Sequence, residues 1–193
     1  MRAVTVAAAL VLAGAVIYYA WPRSQGDDEA GGTAGDDESN FIMDGLEDMN
    51  SKISDWPIGS GPYQDAITAA ASAYGVPVAI LAWLLWKESR YSPNIISGAK
   101  RSAVGAMGIA QFMPATAAEE LGSADAALDP ALAIPGAARY LAKLKARVDT
   151  WAEALAAYNW GIGNVTRKGL AVAPAETVDY YTTILAKAGG NYA

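Results

Sequence analysis

Glu88 closes an apolar run and opens a polar one. It stands in Trp86-Lys87-Glu88-Ser89-Arg90-Tyr91-Ser92-Pro93, and Gly105-Ala106-Met107-Gly108-Ile109-Ala110-Gln111-Phe112-Met113-Pro114 follows. A carboxylate so placed is either an exposed helix end or a proton donor held against apolar walls. Leu84 and Leu85, one turn back on a helix, would disfavour its charged form and raise its pKa. A carboxyl raised toward neutrality can protonate a glycosidic oxygen, and most glycosidases pair it with a second carboxylate as nucleophile or base. From Ser89 to Ala118 there is no Asp or Glu. A second acid would therefore come from farther along, with Glu119, Asp129 and Glu176 as candidates.

Three further segments carry usable chemistry. Gly105, Ala106 and Gly108 would let backbone approach a ligand, with Gln111 as a polar reader and Met107 and Met113 as adaptable apolar contacts. Ala157-Tyr158-Asn159-Trp160-Gly161-Ile162-Gly163-Asn164 sets a phenol, an amide and an indole at a helix end, a mixture suited to sugars. Glu176 and Tyr180 lie four apart, on one face of a helix. Each has a blander reading. Glu88 alone fits a solvated helix end, and Tyr158, Trp160, Trp83 and Trp86 fit core aromatics. Gln111 fits a helix cap, and Glu176 favours its own helix N-terminus.

Helical punctuation runs from Pro62 onward. Tyr63–Tyr74 reads as a helix with Pro62 in its first turn and Gly75 as its C-cap. Pro77 opens Val78–Glu88, which is apolar all round and so should be the buried central helix, stopped by Ser92-Pro93. Pro114 starts a third helix through Glu120. Asp129-Pro130 starts a longer one to Val148, kinked or restarted near Pro135-Gly136. Thr150-Trp151-Ala152-Glu153 is a capping box for a helix to about Tyr158. The last helix spans Pro174 to just before Gly189. No strand pattern stands out, although Ser97–Gly108 has room for a small hairpin.

The chain of 193 residues allows one domain of ordinary size with appendages. After Arg2, the run from Ala3 to Trp21 is long enough to cross a bilayer, with Tyr18, Tyr19 and Trp21 suited to an interface. We expect a single membrane-spanning helix over 1–23 in preference to a cleaved signal peptide, whose apolar region would be shorter. Residues 24–40, rich in Gly, Asp, Glu and Ser, read as a disordered acidic linker. Residues 41–61 combine an amphipathic segment, Phe41–Trp56, with a Pro/Gly boundary. The segment reads as docking on the domain, with partner binding as the alternative. Residues 62–193 form the globular domain.

The net charge of -6 belongs to the tether, since 24–61 balance at -9 while 62–193 balance at +1. No basic stripe points to nucleic acid. With no cysteine and no histidine, zinc sites of the usual ligands, cysteine nucleophiles and Ser-His triads are excluded. No metal or cofactor is expected.

Four motifs in this order resemble the catalytic domain of the lytic transglycosylases, the goose-lysozyme-like murein-cleaving family. They are the Glu88-Ser89 pair closing the apolar helix, Gly105-Ala106-Met107-Gly108-Ile109-Ala110-Gln111-Phe112-Met113-Pro114, Ala157-Tyr158-Asn159-x-Gly161-x-Gly163-Asn164-Val165, and Glu176-Thr177-x-x-Tyr180. The resemblance covers roughly Tyr63 to Ala188. It implies a mainly α, lysozyme-like helical domain around a buried central helix. It further implies that Glu88 is the lone catalytic acid and base, cleaving the bond between N-acetylmuramic acid and N-acetylglucosamine to leave 1,6-anhydromuramyl ends. On the same basis Ser89 supports the helix end, while Ser97 and Gln111 contact sugar or acetamido groups and Met113 lines the cleft. Tyr158 and Asn159 orient Glu88 and the sugar, and Glu176 with Tyr180 completes the wall. Two departures stand out: the loop from Gly98 to Val104 is longer than the family's usual link, and Trp160 replaces a small residue.

The implied partners are peptidoglycan strands, the membrane through the N-terminal segment, and components of a secretion machine or virion. The implied location is the periplasmic side of an inner membrane, or a virion membrane. A lysozyme-type hydrolase of the same bond and an inactive murein-binding assembly module are the alternatives.

Overall fold

The structure, a computed structural model, describes residues 7–12, 15–20, 53, 55–100, 102–189 and 192. The chain divides into two compact units, Met1–Met43 and Asp44–Ala193. In the first, β1 (Ala7–Leu12) pairs antiparallel with β2 (Ala15–Ala20) in a register running from Ala7 opposite Ala20 to Leu12 opposite Ala15. This corrects the expectation of one continuous helix over the apolar run. Val11, Val16, Ile17, Tyr18 and Tyr19 are β-branched or aromatic, and an apolar run without period carries no decision between helix and strand. No helix among the described residues is long and apolar enough to cross a membrane. The expected acidic linker, 24–40, lies outside the described residues, as does most of the amphipathic segment.

The second unit is helical. Its helices are α1 (Gln64–Tyr74), α2 (Val78–Ser89), α3 (Pro93–Ile96), α4 (Pro114–Leu121), α5 (Pro130–Lys145), α6 (Trp151–Trp160), α7 (Ile162–Lys168) and α8 (Ala175–Ala188). Three 3₁₀ turns, Gly61–Tyr63, Asp125–Leu128 and Leu170–Val172, join them. The central helix is α2: Ile80, Leu81, Leu84 and Leu85 are wholly buried. Each such side chain stabilises the fold by about 1.5–3 kcal/mol through removal of apolar surface from water. α2 packs on α1 and α8, α8 packs on α6, and α6 packs on α5, which also covers α1. Ile53 and Trp56 pack against this core from the preceding segment.

Local signals account for most helix ends. Gly75 closes α1 in the left-handed region at φ 64°, where glycine carries no Cβ penalty. Asp129 caps α5 by accepting from the Ala131 amide, 2.9 Å. Thr150 and Glu153 form the reciprocal capping box of α6. α5 runs through Pro135 without the expected restart. Beside the buried Ile134, Leu141 and Leu144, its inward face carries the small residues Ala133, Gly136, Ala137 and Ala138, where neighbours approach closely. A Cβ on Gly136 would lie 2.1 Å from Leu121 Cδ2, on α4. The same α4–α5 contact is tied by the buried Glu120, which accepts from Lys143 Nζ at 2.9 Å and Arg139 Nε at 3.4 Å.

Two short helices were not anticipated. Ser92-Pro93 ends α2 but also starts α3, because proline suits a first helical turn. Gly161, at φ 91°, breaks α6 and lets α7 start at the next residue. The small hairpin expected within Ser97–Gly108 sits slightly later, as a bridge between Met107 and Phe112 with reciprocal amide-to-carbonyl bonds of 3.0 Å.

Candidate active site

Glu88 occupies the last turn of α2, partly buried, with the wholly buried Leu84 and Leu85 one turn behind it. The Tyr180 hydroxyl, from α8, donates to Glu88 Oε1 at 2.5 Å. Burial lifts the Glu88 carboxyl from 4.5 to about 7, while the Tyr180 hydrogen bond and the charge of Lys87 oppose that rise. Desolvation outweighs both. No second carboxylate takes part in this balance among the described residues. Lys87 is itself held by Asp179 of α8, Nζ to Oδ2 at 2.6 Å, so the α2–α8 seam fixes both groups that steady the Glu88 charge.

The turn after Glu88 is strained and well braced. Arg90 and Tyr91 both have left-handed backbone, at φ 54° and 52°. Such conformations cost free energy for side-chain-bearing residues and persist where the surroundings fix them. Ser89, wholly buried, donates through Oγ to the Leu85 carbonyl at 3.0 Å and accepts from the Tyr91 amide at 3.1 Å. The Tyr91 hydroxyl donates back to the Ala82 carbonyl at 2.8 Å, and its ring stacks on Tyr63 with centroids 5.8 Å apart. The Arg90 guanidinium lies over the Trp86 ring at 3.5 Å.

The Gly-rich segment faces α6. Tyr158 donates its hydroxyl to the Ala110 carbonyl at 3.1 Å. Its own ionisation is suppressed by burial first and by the Glu88 charge second, as is that of Tyr180. The two phenols and the carboxyl therefore form one electrostatic group. Gln111 sits in left-handed backbone at φ 47° and donates Nε2 to the Gly108 carbonyl at 2.8 Å. Its side chain thus closes the tight turn between Met107 and Phe112. Gly108 is required there: at φ +73° a Cβ would come within 1.7 Å of the Ala127 carbonyl oxygen. Met113 is substantially exposed directly before α4.

Asn159 is exposed at the end of α6, and Thr177 of α8, buried, donates Oγ1 to its Oδ1 at 2.8 Å. Thr177, Tyr180 and Ile184 make the inward stripe of α8. Glu176 is exposed beside that stripe, so the structure brings Tyr180 to Glu88 without Glu176. Ser97 is also exposed and makes only local contacts of 3.5 Å, with the Asn94 carbonyl and the Ala99 amide. Of the candidate second acids, Glu119 is exposed and Asp129 is engaged as the α5 cap. Thr177 lies in the Glu176-Thr177-x-x-Tyr180 motif and Lys87 beside Glu88, but the sequence assigns neither a role, because their contacts depend on α8 lying against α6 and α2. Among the described residues no group of three or more His, Cys, Asp or Glu is placed to hold a metal ion.

Residues 65–178 match the model of the transglycosylase SLT domain, which is more than half of the chain. In fold, the chain is similar to the lytic transglycosylase Slt of Pseudomonas aeruginosa, solved as an inactive Glu-to-Gln variant. That similarity has a TM-score of 0.58 at 22% identity, over 78% of this chain and 28% of the Slt chain. This chain therefore spans less than a third of the larger protein. The domain match covers more than half of the chain, and the motif order agrees with it: the chain belongs to the transglycosylase SLT family.

Proposed function

We propose that the chain cleaves the β-1,4 bond between N-acetylmuramic acid and N-acetylglucosamine in peptidoglycan, with Glu88 as the sole acid and base. The observation that carries this reading is a single carboxyl group lifted to about 7 and held by Tyr180, with no second carboxylate coupled to it among the described residues. Protonated Glu88 gives its proton to the bridging oxygen as the bond to the muramyl anomeric carbon breaks, releasing the N-acetylglucosamine hydroxyl. The muramyl C6 oxygen then forms a bond to the anomeric carbon. Its proton passes to the Glu88 carboxylate, which restores the acid. The product carries a 1,6-anhydro ring, and no water is consumed.

In this reading Tyr180 holds the carboxyl for both proton transfers. Ser89 fixes the helix end, Tyr158 and Asn159 meet the sugar beside Glu88, and Gln111 and Met113 shape the neighbouring surface. Ser97 and Glu176 would touch more distant sugar units, consistent with their exposure. Such a substrate places the working domain outside the cytoplasm, on the periplasmic side of a membrane or in a virion. The apolar composition of 3–21 is what supports membrane association. The setting we assign to this cleavage is local wall opening, during phage infection or during assembly of a secretion or conjugation machine. Digestion of purified sacculi in heavy-oxygen water tests the chemistry. The anhydro route leaves the isotope out of the new chain ends, whereas a hydrolase would incorporate one heavy oxygen per cut.

A further inference from the structure

We infer that Thr177 is a positioning residue for the reaction, acting through Asn159 by fixing which end of its amide faces the glycan; this rests on the function proposed above. An asparagine amide has an accepting oxygen and a donating nitrogen on one planar group, and a half-turn about its last bond exchanges them. An exposed asparagine is free to present either. Asn159 is exposed, yet its Oδ1 is taken by the Thr177 hydroxyl at 2.8 Å, and Thr177 is buried at 2% exposure. A buried hydroxyl has strong reason to keep its partner, because an unsatisfied buried donor costs about 1–3 kcal/mol. With Oδ1 turned inward to α8, Nδ2 is left as the outward group. Asn159 is then a dedicated donor toward an oxygen of the sugar bound beside Tyr158.

The placement of Thr177 supports the assignment. It lies three residues before Tyr180 on the same buried stripe of α8, and Tyr180 reaches Glu88 from there. One helix face thus orients the proton donor through one residue and the neighbouring amide through the other. Thr177 touches Asn159, but at 2% exposure it offers almost no surface of its own with which to bind substrate. Its role would be read only through its partner.

A double-mutant cycle on the full chain tests this, measured as kcat and KM for sacculus digestion by Thr177→Val, Asn159→Ala and the pair. Thr177→Val removes the hydroxyl at nearly constant shape. We expect it to lower kcat/KM by about tenfold, to leave the double variant no worse than Asn159→Ala, and to be largely restored by Thr177→Ser. Additive losses, or Thr177→Val with full activity beside an impaired Asn159→Ala, would overturn the assignment. Two-dimensional NMR of the side-chain amides gives a readout independent of turnover. The two Asn159 NH₂ shifts should move toward those of a freely exposed asparagine in Thr177→Val and return in Thr177→Ser, and unchanged shifts in a folded Thr177→Val protein would overturn the assignment as well. Glu88→Gln is run alongside: if it keeps parental activity, the proposed function fails, whatever the amide signals show.

Discussion

At the scale of single residues, Glu88 combines two opposed influences. Burial beside Leu84 and Leu85 raises its proton affinity, and the Tyr180 hydroxyl and Lys87 lower it, leaving a carboxyl that titrates near 7. In the proposed reaction the protonated form starts the cleavage, so kcat/KM should be full below that value and fall as pH rises through about 7. Tyr180→Phe removes a hydrogen bond that favours the charged form. The sign follows directly: the alkaline limb should move to higher pH. The maximal rate should meanwhile drop by roughly tenfold to a hundredfold as the carboxyl loses its orientation. A pH–rate series on the two proteins checks both effects; a limb that stays in place would mean that another group titrates in it. Glu88 itself was legible in the sequence because an apolar helix ending in a carboxylate is a local pattern. Thr177 stands in a motif, but its task was not legible, since a helical threonine shows no partner until α6 is placed against it.

At the scale of elements, the site depends on backbone conformations that side chains and neighbours enforce. The Met107–Phe112 turn needs Gly108 in left-handed backbone against the Ala127 carbonyl, and Gln111 closes it from the other end. Gly108→Ala should destabilise the domain by at least about 3 kcal/mol, combining the positive-φ penalty with a contact that the backbone has to move to relieve. Thermal or denaturant unfolding reads this loss, and a variant with parental stability would show that the turn tolerates a Cβ. Helix starts and stops were readable wherever a cap or glycine acts within a few residues, as at Gly75, Asp129 and Thr150. α3 and α7 escaped because a proline and a glycine that end one helix also permit another to begin at once. The apolar run near the N-terminus was misread for a different reason. Its length suggested a spanning helix, whereas its valines, isoleucine and tyrosines are equally good strand residues, and the paired strands β1 and β2 resulted.

At the scale of the molecule, the matched family region ends at residue 178, yet the contacts that steady Glu88 extend beyond both its limits. Tyr180 and Asp179 lie after it, and Tyr63, which stacks on the turn following Glu88, lies before it. The second unit is thus a frame in which α8 and the segment ahead of α1 hold the end of α2 from either side of the matched region. That long-range bracing accounts for what residue patterns left out. The motifs marked which residues gather, but not that Glu176 faces solvent while Tyr180 turns inward. The central claim is that one carboxyl group, serving as acid and then base, cuts murein with the substrate's own hydroxyl as nucleophile. Mass analysis of the fragments released from purified sacculi by the parent chain and by Glu88→Gln tests it most directly. The account predicts anhydromuramyl ends, lighter by one water than reducing ends, from the parent and no release from the variant. Reducing ends from the parent, or equal release by Glu88→Gln, would contradict it.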